Sequence, residues 1–560
     1  MAAIHRSETT LTGILIVSMI PLYMLSLSSK GKVKMTEMLH LQGDDVPTVD
    51  IFIPCCGEPT DVLLDTLRAT LALDYPEGKL RIVVLDDGDS TEVEGQVLGL
   101  GRANVYYTAR KVEVGTHSKA ANLNHGLHFV TGLPGGPSEL IAVLDVDMIP
   151  LPHWLRALIP SILQDDKVAM ANPPQLFYDM PDGNPLGQSM SFIYDTIAPM
   201  QEAMNSSWCT GSGWVARRLA IDEIGGIPTD SIQEDIWTSV FLDAREWKVA
   251  YVRRTLQWGL IGDTFAAHIK MFKRWAVGIS TLARLLTHPT TLNMTINMRI
   301  SVISISFSFG VTIVATTLVM AVVPCLLFSG KPLIIYATPQ QLSTLLRFSF
   351  LQFLATWIYG FVDATATDFH KPIWPVNAQM YLAPYQVMTL FHLVSRDTAP
   401  TGRMEAGERE RKARISGTMA QRLWILLWEQ GAIMLLAIMA ACVIGAYVSF
   451  HAAVVAAVGF KSYVSLPDLG KEIGIRVAWP PAFVLWTAIT ASCWKPIAYV
   501  ISPPAIRSRE SLLERDPVTQ VAYPIAAADP RNSSERVRVS QHFAVFALGY
   551  FVFAVLVSWL

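Results

Sequence analysis

Two pairs of aspartates stand where apolar runs of the sequence end, and they are the first candidates for chemistry. Asp145 and Asp147 follow the run LIAVL. Two carboxylates at the end of a strand can converge on one hard divalent cation, with the remaining ligands coming from diphosphate oxygens and water. Asp86 and Asp87 follow RIVVL and precede a glycine, so a carboxylate there could accept hydrogen bonds from a ribose or a base. Ordinary strand ends and turns contain both patterns as well, so neither alone decides the function.

Two further clusters supply a candidate base and a candidate cation. Asp235, which follows Glu234, could take a proton from an attacking hydroxyl group, whereas an acidic pair at a helix N-terminus is the structural alternative. In the run KMFKRW, Arg274 could neutralise a leaving diphosphate, and Trp275 offers a flat apolar face for a sugar ring. A basic aromatic run is also typical of a helix at the membrane interface, and both interpretations can hold together.

The elements that must position these residues are short β-branched runs that alternate with helix-like stretches. Buried parallel strands are continuous apolar runs with functional residues at their carboxyl ends. The pattern therefore predicts a Rossmann-like α/β domain that binds its ligand along one edge of a sheet. The strand-like runs are VDIFIPCCGE, RIVVLDDGDS, ANVYYTARK, LIAVLDVDMIP and KVAMANPPQLF.

The composition places this domain in a membrane protein. Of 560 residues, 51% are hydrophobic and only 16% are charged, whereas soluble domains carry about 25% charged residues, and the mean hydropathy is +0.35. A net charge of −3 argues against a general nucleic-acid binder, because phosphate backbones select basic surfaces. Six scattered cysteines exclude a disulfide-stapled secreted domain and are typical of a reduced compartment.

Six apolar runs are each about as long as the ~20 residues that cross a hydrocarbon core as a helix. Basic residues concentrate in the loops at 403–422 and 507–538. The positive-inside rule then predicts a multi-pass protein of a plasma, Golgi or endoplasmic reticulum membrane, with the polar domain in the cytoplasm. A cleaved signal peptide is the alternative for the first run, but it would place the domain outside, against the charge distribution. The predicted spans are residues 10–28, 300–329, 345–362, 423–450, 477–502 and 543–560.

Six longer sequence segments contain or flank the candidate residues: PTVDIFIPCCGEP (47–59), HSKAANLNHGL (117–127), DVDMIP (145–150), DEIGGI (222–227), QEDIWTS (233–239) and AHIKMFKRWAVG (267–278). In this order they resemble the catalytic domain of cellulose synthases, within the processive family 2 glycosyltransferases. The resemblance covers residues 48–278 almost continuously and the later spans more loosely. It implies a GT-A fold inserted between membrane helices, a UDP-sugar donor, and Mg²⁺ or Mn²⁺.

The resemblance also implies roles for individual residues in the reaction. Asp145 and Asp147 match the D-x-D pair of the family, with Asp147 as the direct metal ligand. Asp235 matches the general base of its T-E-D motif, in which glutamine here replaces the threonine. Arg274 and Trp275 match the end of its Q-x-x-R-W motif, where the tryptophan holds the acceptor sugar.

Besides Asp145 and Trp275, six residues are expected to bind the UDP-sugar or the acceptor, and Met271 is one of them. Glu58 with Asp86 or Asp87 would lie in the uridine pocket, and Lys119 matches a lysine that approaches the nucleotide sugar. Glu234, next to the base, belongs to the same acidic motif.

Three features depart from the family pattern or stand outside it. The first residue of Q-x-x-R-W is Met271 here, and a thioether cannot donate the hydrogen bonds of a glutamine. The gating segment of the family has its nearest match at residues 392–396 (HLVSR), after a predicted amphipathic interfacial helix at 378–390. The charged run at 403–414 is interpreted as a solvated loop.

The sequence therefore predicts an inverting glycosyltransferase that extends a β-linked polysaccharide, with glucose as the expected sugar, and translocates it. A chitin-type or hyaluronan-type synthase, and transfer of one or a few sugars to a lipid or polyketide-like acceptor, are the alternatives. A transporter or scaffold with an inactive domain is disfavoured because the acidic motifs and Arg274 are intact.

The domain prediction divides the chain into three parts. A membrane helix occupies 1–29, a cytosolic catalytic domain that ends in an interfacial helix occupies 30–290, and a channel region of five spans occupies 291–560, with a gating-like loop at 391–421. The expected partners are the UDP-sugar, the growing glycan or lipid acceptor and the bilayer, with no nucleic acid. No feature of the sequence argues for an oligomer.

Overall fold

A computed structural model describes most of the chain between residues 39 and 529. The first and last predicted spans, most of the span at 345–362, and residues 395 and 396 of the gating-like segment lie outside the described residues. The described residues are 39–111, 117–181, 186–188, 190, 193–334, 336–347, 354, 358, 380–394, 404–459, 465–505 and 507–529.

A seven-stranded mixed sheet forms the centre of the polar domain, which confirms the predicted α/β class. The strand order is β3-β2-β1-β4-β8-β6-β9, and β8 runs antiparallel to both of its neighbours while the other pairs are parallel. All residues of β1 are buried, as its continuous apolar run predicts for a strand covered on both faces. The strands of this sheet are β1 (Val49–Cys55), β2 (Leu80–Asp86), β3 (Val105–Ala109), β4 (Leu140–Val143), β6 (Val168–Asn172), β8 (Trp214–Arg217) and β9 (Lys248–Tyr251).

The carboxyl ends of β1, β2 and β4 lie at one edge of this sheet. Cys55 pairs with Asp86, and Phe52 pairs with Val143, so both aspartate pairs of the sequence reach the same edge. Because β8 is antiparallel, its first residue Trp214 lies beside Val143. The loop before β8 therefore joins the same edge.

Two small sheets lie outside the main one. The first has the order β5-β10-β7, and the second is a hairpin of β11 and β12 from the carboxyl-terminal part of the chain. Their strands are β5 (Ile149–Pro150), β7 (Leu176–Phe177), β10 (Gln257–Gly259), β11 (Leu513–Arg515) and β12 (Ala522–Pro524).

Helices cover both faces of the main sheet, and α3 approaches the sheet closely at a glycine. A Cβ atom on Gly126 would lie 2.7 Å from a methyl group of Leu85 in β2, and the Asn122 amide donates to the Leu85 carbonyl at 2.8 Å. The start of α3, at Lys119, consequently lies near the functional edge. The helices of this domain are α1 (Thr60–Leu71), α2 (Thr91–Leu98), α3 (Lys119–Phe129), α4 (Trp154–Leu163), α5 (Ala198–Ala203), α6 (Arg218–Glu223), α7 (Glu234–Asp243) and α8 (Phe265–Thr281).

Two helices of the described chain are long and apolar enough to cross a membrane, α9 (Ile296–Phe328) and α13 (Ile433–Val458). They pack together where Gly445 of α13 meets α9, and the Ser449 hydroxyl donates to the Leu327 carbonyl at 2.6 Å. Small residues at such contacts let apolar helices approach closely. The remaining helices are α10 (Ala383–Val394), α11 (Met404–Ser416), α12 (Met419–Trp424), α14 (Leu466–Arg476) and α15 (Pro480–Ile501).

The fourth predicted span, at residues 423–450, has a different start in the structure. The helix begins at Ile433 rather than at residue 423, because α12 and a π-helical turn at 425–429 end at Gly431, which has a φ of +71°. Trp424 and Trp428 in the preceding segment are each 59% exposed, and exposed tryptophans are typical of the membrane–water boundary. The interfacial helix predicted at 378–390 corresponds to α10 and the short turn before it.

Gly445→Leu should destabilise the protein, because a Cβ at this residue would lie 2.9 Å from the Leu327 Cβ and 3.2 Å from the Pro324 carbonyl oxygen. Overpacking of this kind costs about 1–3 kcal/mol, which thermal unfolding of the detergent-solubilised protein would show as a lower Tm. Gly310→Leu in α9 is the matched control, since a Cβ added to Gly310 would have no neighbouring atom within 4 Å. Equal Tm values for the two variants would contradict the close contact of α9 and α13.

Candidate active site

The backbone between Asp145 and Asp147 is held from two sides. The Asp145 amide donates to the Ser212 hydroxyl at 2.9 Å, from the loop before β8. The Thr66 hydroxyl of α1 donates to the Val146 carbonyl at 2.8 Å. These two hydrogen bonds fix the loop that follows β4, while both aspartate side chains remain partly accessible.

Asp147 lies among other acidic side chains. Its pKa is raised to about 7 by burial and by the charge of Asp145, with further contributions from Glu58 and Asp179. Such a carboxylate is stabilised by a nearby cation. Among the described residues, no three His, Cys, Asp or Glu side chains form a metal centre by themselves.

Lys119 connects the two acidic motifs. Its Nζ lies 2.5 Å from Asp145 Oδ1 and 3.4 Å from Glu234 Oε1, and it donates to the Gly211 carbonyl at 2.9 Å. Burial alone lowers the pKa of Lys119, but the two carboxylates outweigh it and the pKa is raised. The Lys119 ammonium group thus links the loop after β4 to the first residues of α3 and α7.

Asp235 lies in the first turn of α7, next to this bridge. Burial and the charge of Glu234 raise its pKa to about 7, although Lys119 and Arg274 act in the opposite direction. The pKa suits a general base near neutral pH. Gly211 has a φ of +99°, and a Cβ there would lie 3.0 Å from Asp235 Oδ2, so the loop before β8 forms one wall beside this carboxylate.

The residues Met271–Trp275 of α8 lie between Asp235 and a cluster of apolar helices. Arg274 is exposed, and its charge reaches Asp235. Trp275 is partly buried and meets the Phe272 ring edge-on, with centroids 5.3 Å apart. Met271 and Trp275 both pack against an apolar cluster that includes side chains from α9, α13 and α15. Met271 is therefore a packing residue here.

The residues predicted for the nucleotide pocket differ in their placement. The carboxylate of Asp86 accepts hydrogen bonds from the Gly88 and Ser90 amides at 2.7 and 2.8 Å and from the Tyr107 hydroxyl at 2.9 Å. It therefore shapes the turn after β2.

Asp87 and Glu58 have partners of different kinds. Asp87 forms a two-pronged ion pair with Arg110, at 2.7 and 2.6 Å. Glu58 is exposed, accepts from the Cys56 amide at 2.6 Å, and contributes to the raised pKa of Asp147. Glu58 is thus linked electrostatically to Asp147 of the D-x-D pair.

Residues 47–278 match a family model described as glycosyltransferase like family 2. These residues are a family 2 glycosyltransferase domain. The match contains the whole main sheet and every candidate residue named above, and the predicted resemblance is confirmed.

Curated relatives of this glycosyltransferase domain include cellulose synthase catalytic subunits. A UDP-forming cellulose synthase catalytic subunit of Komagataeibacter sucrofermentans is 29% identical over 299 residues, which are 52% of this chain and 38% of the relative. Cellulose synthase 1 catalytic subunit of Komagataeibacter xylinus is 29% identical over 338 residues, 58% of this chain and 44% of the relative. The chain therefore spans less than half the length of these relatives.

A solved structure similar to this chain is the mannosyltransferase PcManGT of Pyrobaculum calidifontis, in complex with GDP-mannose and Mn²⁺. It is 15% identical, has a TM-score of 0.42, and the alignment covers 68% of this chain and 98% of that one.

Sequence reasoning missed Asp179 in the glycosyltransferase domain. Asp179 follows β7, its Oδ1 accepts from the Ile261 amide at 2.7 Å, and burial raises its pKa to about 7. It also acts on Asp147. The sequence contained a signal for Asp179, because this residue follows the strand-like run QLFY. Asp86 and Asp145 likewise follow strand-like runs.

The interpretation of residues 403–414 as a solvated loop was wrong. Residues 404–416 form α11, and Glu410 is only 5% exposed. Its carboxylate accepts from the Phe265 and Ala266 amides at 2.7 and 3.1 Å, which caps the start of α8. In a run of alternating charges, the sequence alone does not show that Glu410 is buried.

Glu410→Ala should lower stability by about 1–2 kcal/mol, as the loss of a helix cap does, and should reduce donor turnover because α8 carries Arg274. Thermal unfolding and UDP release would measure the two effects. Glu408→Ala on the same helix is the control, since its carboxylate is exposed and pairs with Lys412 at 2.8 Å. If both variants behave alike, Glu410 does not support α8.

Asp235→Asn should raise the Tm at pH 8, and this gain should shrink as the pH falls towards 5. The folded-state pKa near 7 lies above the ordinary value of 3.8. The unfolded chain therefore loses this proton first as the pH rises, and the folded state loses stability between the two values. The full difference between the two pKa values corresponds to about 4 kcal/mol in the free energy of unfolding. Because the carboxylate is partly exposed, we expect a gain of about 2 kcal/mol. A gain that is independent of pH would refute the raised pKa.

Proposed function

We propose that this chain is a membrane-embedded inverting glycosyltransferase that transfers glucose from UDP-glucose to a growing β-glucan and passes the product across the bilayer. One observation carries the proposal: Lys119 bridges Asp145 and Glu234, so the predicted metal ligands and the predicted base share one cleft. The similarity to UDP-forming cellulose synthase subunits supports the choice of donor. The apolar helices α9 and α13 support the membrane location.

The residues at the end of β4 fit a divalent cation, Mg²⁺ or Mn²⁺. Asp147 is surrounded by acidic groups that raise its pKa, and hard oxygen ligands suit these ions. Asp147 would hold the ion with Asp145 beside it. When bound, the cation would supply positive charge to the diphosphate and make UDP a better leaving group.

The side chains of the cleft would then divide the reaction between them. Asp235 takes the proton of the acceptor hydroxyl, whose oxygen attacks the anomeric carbon on the face opposite UDP. The bond from that carbon to the diphosphate oxygen breaks, and an α-linked donor sugar becomes β-linked. Lys119 and Arg274 place positive charge where negative charge develops on the leaving group.

The acceptor would approach from the membrane side. Trp275 lies at the junction of the cleft and the apolar cluster that contains residues of α9, α13 and α15. Its indole face would hold the terminal sugar of the acceptor at the entrance of a path between these helices. The predicted gating residues at 392–396 remain a proposal, because their side chains lie outside the described residues.

Transfer of one or a few sugars to a lipid-like acceptor is the second candidate, and the packing of Met271 favours it. This side chain contacts apolar residues where the family pattern has a glutamine that organises the acceptor end of the site. A chain without that amide has one polar contact fewer for a long glycan.

Incubation of the purified protein with UDP-glucose and Mn²⁺ or Mg²⁺ should yield a β-linked glucan, measured by product sizing and linkage analysis. UDP-N-acetylglucosamine and UDP-glucuronate, offered in parallel, should give less product. Asp235→Asn should reduce the rate by about 10²–10⁴-fold, the usual contribution of a positioned base. Asp165→Asn, which changes an exposed pair with Lys248 on the far side of the domain, is the control. A single-sugar adduct would support the second candidate, and full activity of Asp235→Asn would refute the mechanism.

A further inference from the structure

The segment that follows α15 returns to the glycosyltransferase domain. Residues 507–529, here called the carboxyl-terminal hairpin, contain β11 and β12. Leu512, Leu513 and Ala522 are buried together with Ile149, Tyr178 and Trp258, in one apolar cluster. The hairpin thus covers the small sheet β5-β10-β7, whose strand β5 starts two residues after Asp147.

Two arginines of the hairpin meet one buried carboxylate of α1. Asp65 is 1% exposed, and its oxygens lie 2.5 and 3.1 Å from the two terminal nitrogens of Arg515. Arg509 Nη1 lies 2.9 Å from the same carboxylate. A buried charge of this kind requires its partners, so the hairpin fixes the position of α1.

The next residue of α1 is the one that holds the D-x-D loop. The Thr66 hydroxyl donates to the Val146 carbonyl, between the two aspartates. The other side of the loop is equally close-packed, because a Cβ on Gly259 of β10 would clash with the Met148 sulfur. The hairpin packs on both supports of the loop, α1 and β10.

The electrostatics of Tyr178 agree with this proximity. Burial raises the pKa of Tyr178 and the charge of Arg509 opposes the shift, while Asp65 and Asp147 also act on the same hydroxyl. The hairpin and the D-x-D pair therefore both lie close to one side chain.

We propose that the carboxyl-terminal hairpin positions the D-x-D loop, with Arg515 as a positioning residue that acts through Asp65 and Thr66. This inference rests on the proposed function, in which Asp147 and Asp145 bind the divalent ion and the nucleoside diphosphate. A segment that lies 450 residues beyond Asp65 in the sequence then takes a direct part in forming that site.

The test is the affinity of the full-length detergent-solubilised protein for Mn²⁺ in the presence of UDP, measured by electron paramagnetic resonance of free Mn²⁺ and without turnover. Arg515→Met should weaken Mn²⁺ binding about tenfold, the lower end of the effect of residues that orient metal ligands, and Arg515→Lys should recover part of it. Arg217→Met is the matched control. Arg217 is as exposed as Arg515, at 22% against 21%, but it lies beside Leu140 at the opposite end of β4.

Thr66→Val tests the connection without removing a charge. It deletes the hydroxyl that holds Val146 and should weaken Mn²⁺ binding by itself. The double variant Arg515→Met, Thr66→Val should have the same Mn²⁺ affinity as the single variant with the lower affinity. The reason is that the effects of two coupled residues do not add.

The outcomes separate this inference from the proposed function. Arg217→Met should keep the Mn²⁺ affinity of the wild-type protein. If the wild-type protein binds Mn²⁺ with UDP, and Arg515→Met loses thermal stability but also keeps the wild-type Mn²⁺ affinity, the hairpin is merely structural and the inference fails. Full additivity in the double variant would also overturn it. If the wild-type protein binds no Mn²⁺ with UDP, the proposed function itself fails and the inference falls with it.

Discussion

The concentration of negative charge in one cleft is the constraint on which the rest of the structure depends. Asp145, Asp147, Asp179, Glu234 and Asp235 come from three separate segments, and burial raises the pKa of three of them to about 7. In their ionised form, such carboxylates are stabilised by positive charge among them. Lys119 provides that charge between Asp145 and Glu234, and a substrate-bound cation would provide it at Asp147.

The supports of this cleft come from parts of the chain that are remote from the acidic motifs. Glu410 caps α8 from a helix that lies beyond α9 and α10 in the sequence, and Arg515 reaches α1 from beyond α15. The glycosyltransferase domain is therefore completed by segments on both sides of the candidate membrane helix α13. Its site depends on elements that the family match at residues 47–278 does not contain.

The strand ends that carry Asp86, Asp87 and Asp145 were predictable from the sequence, because continuous apolar runs with acidic ends show where a parallel sheet exposes its carboxylates. Glu234 and Asp235 begin a helix instead, so only the family resemblance predicted that they lie near the D-x-D pair. The roles of Asp86 and Glu410 could not be predicted from the sequence. Each depends on hydrogen bonds to particular backbone amides, and local sequence does not show which carboxylate finds such amides. The start of α13 was also misplaced, since apolar composition continues through the break at Gly431.

The reversed strand β8 has a consequence for biosynthesis. It separates β4 from β6 in the sheet, yet it follows β4 by about seventy residues in the chain. During translation, β4 emerges from the ribosome well before the strand that covers its open side. Until β8 arrives, that side is an unpaired edge able to pair with other chains, so the nascent protein passes through an aggregation-prone interval. The candidate membrane helix α9 is made later still, so the sheet can close before that helix leaves the ribosome.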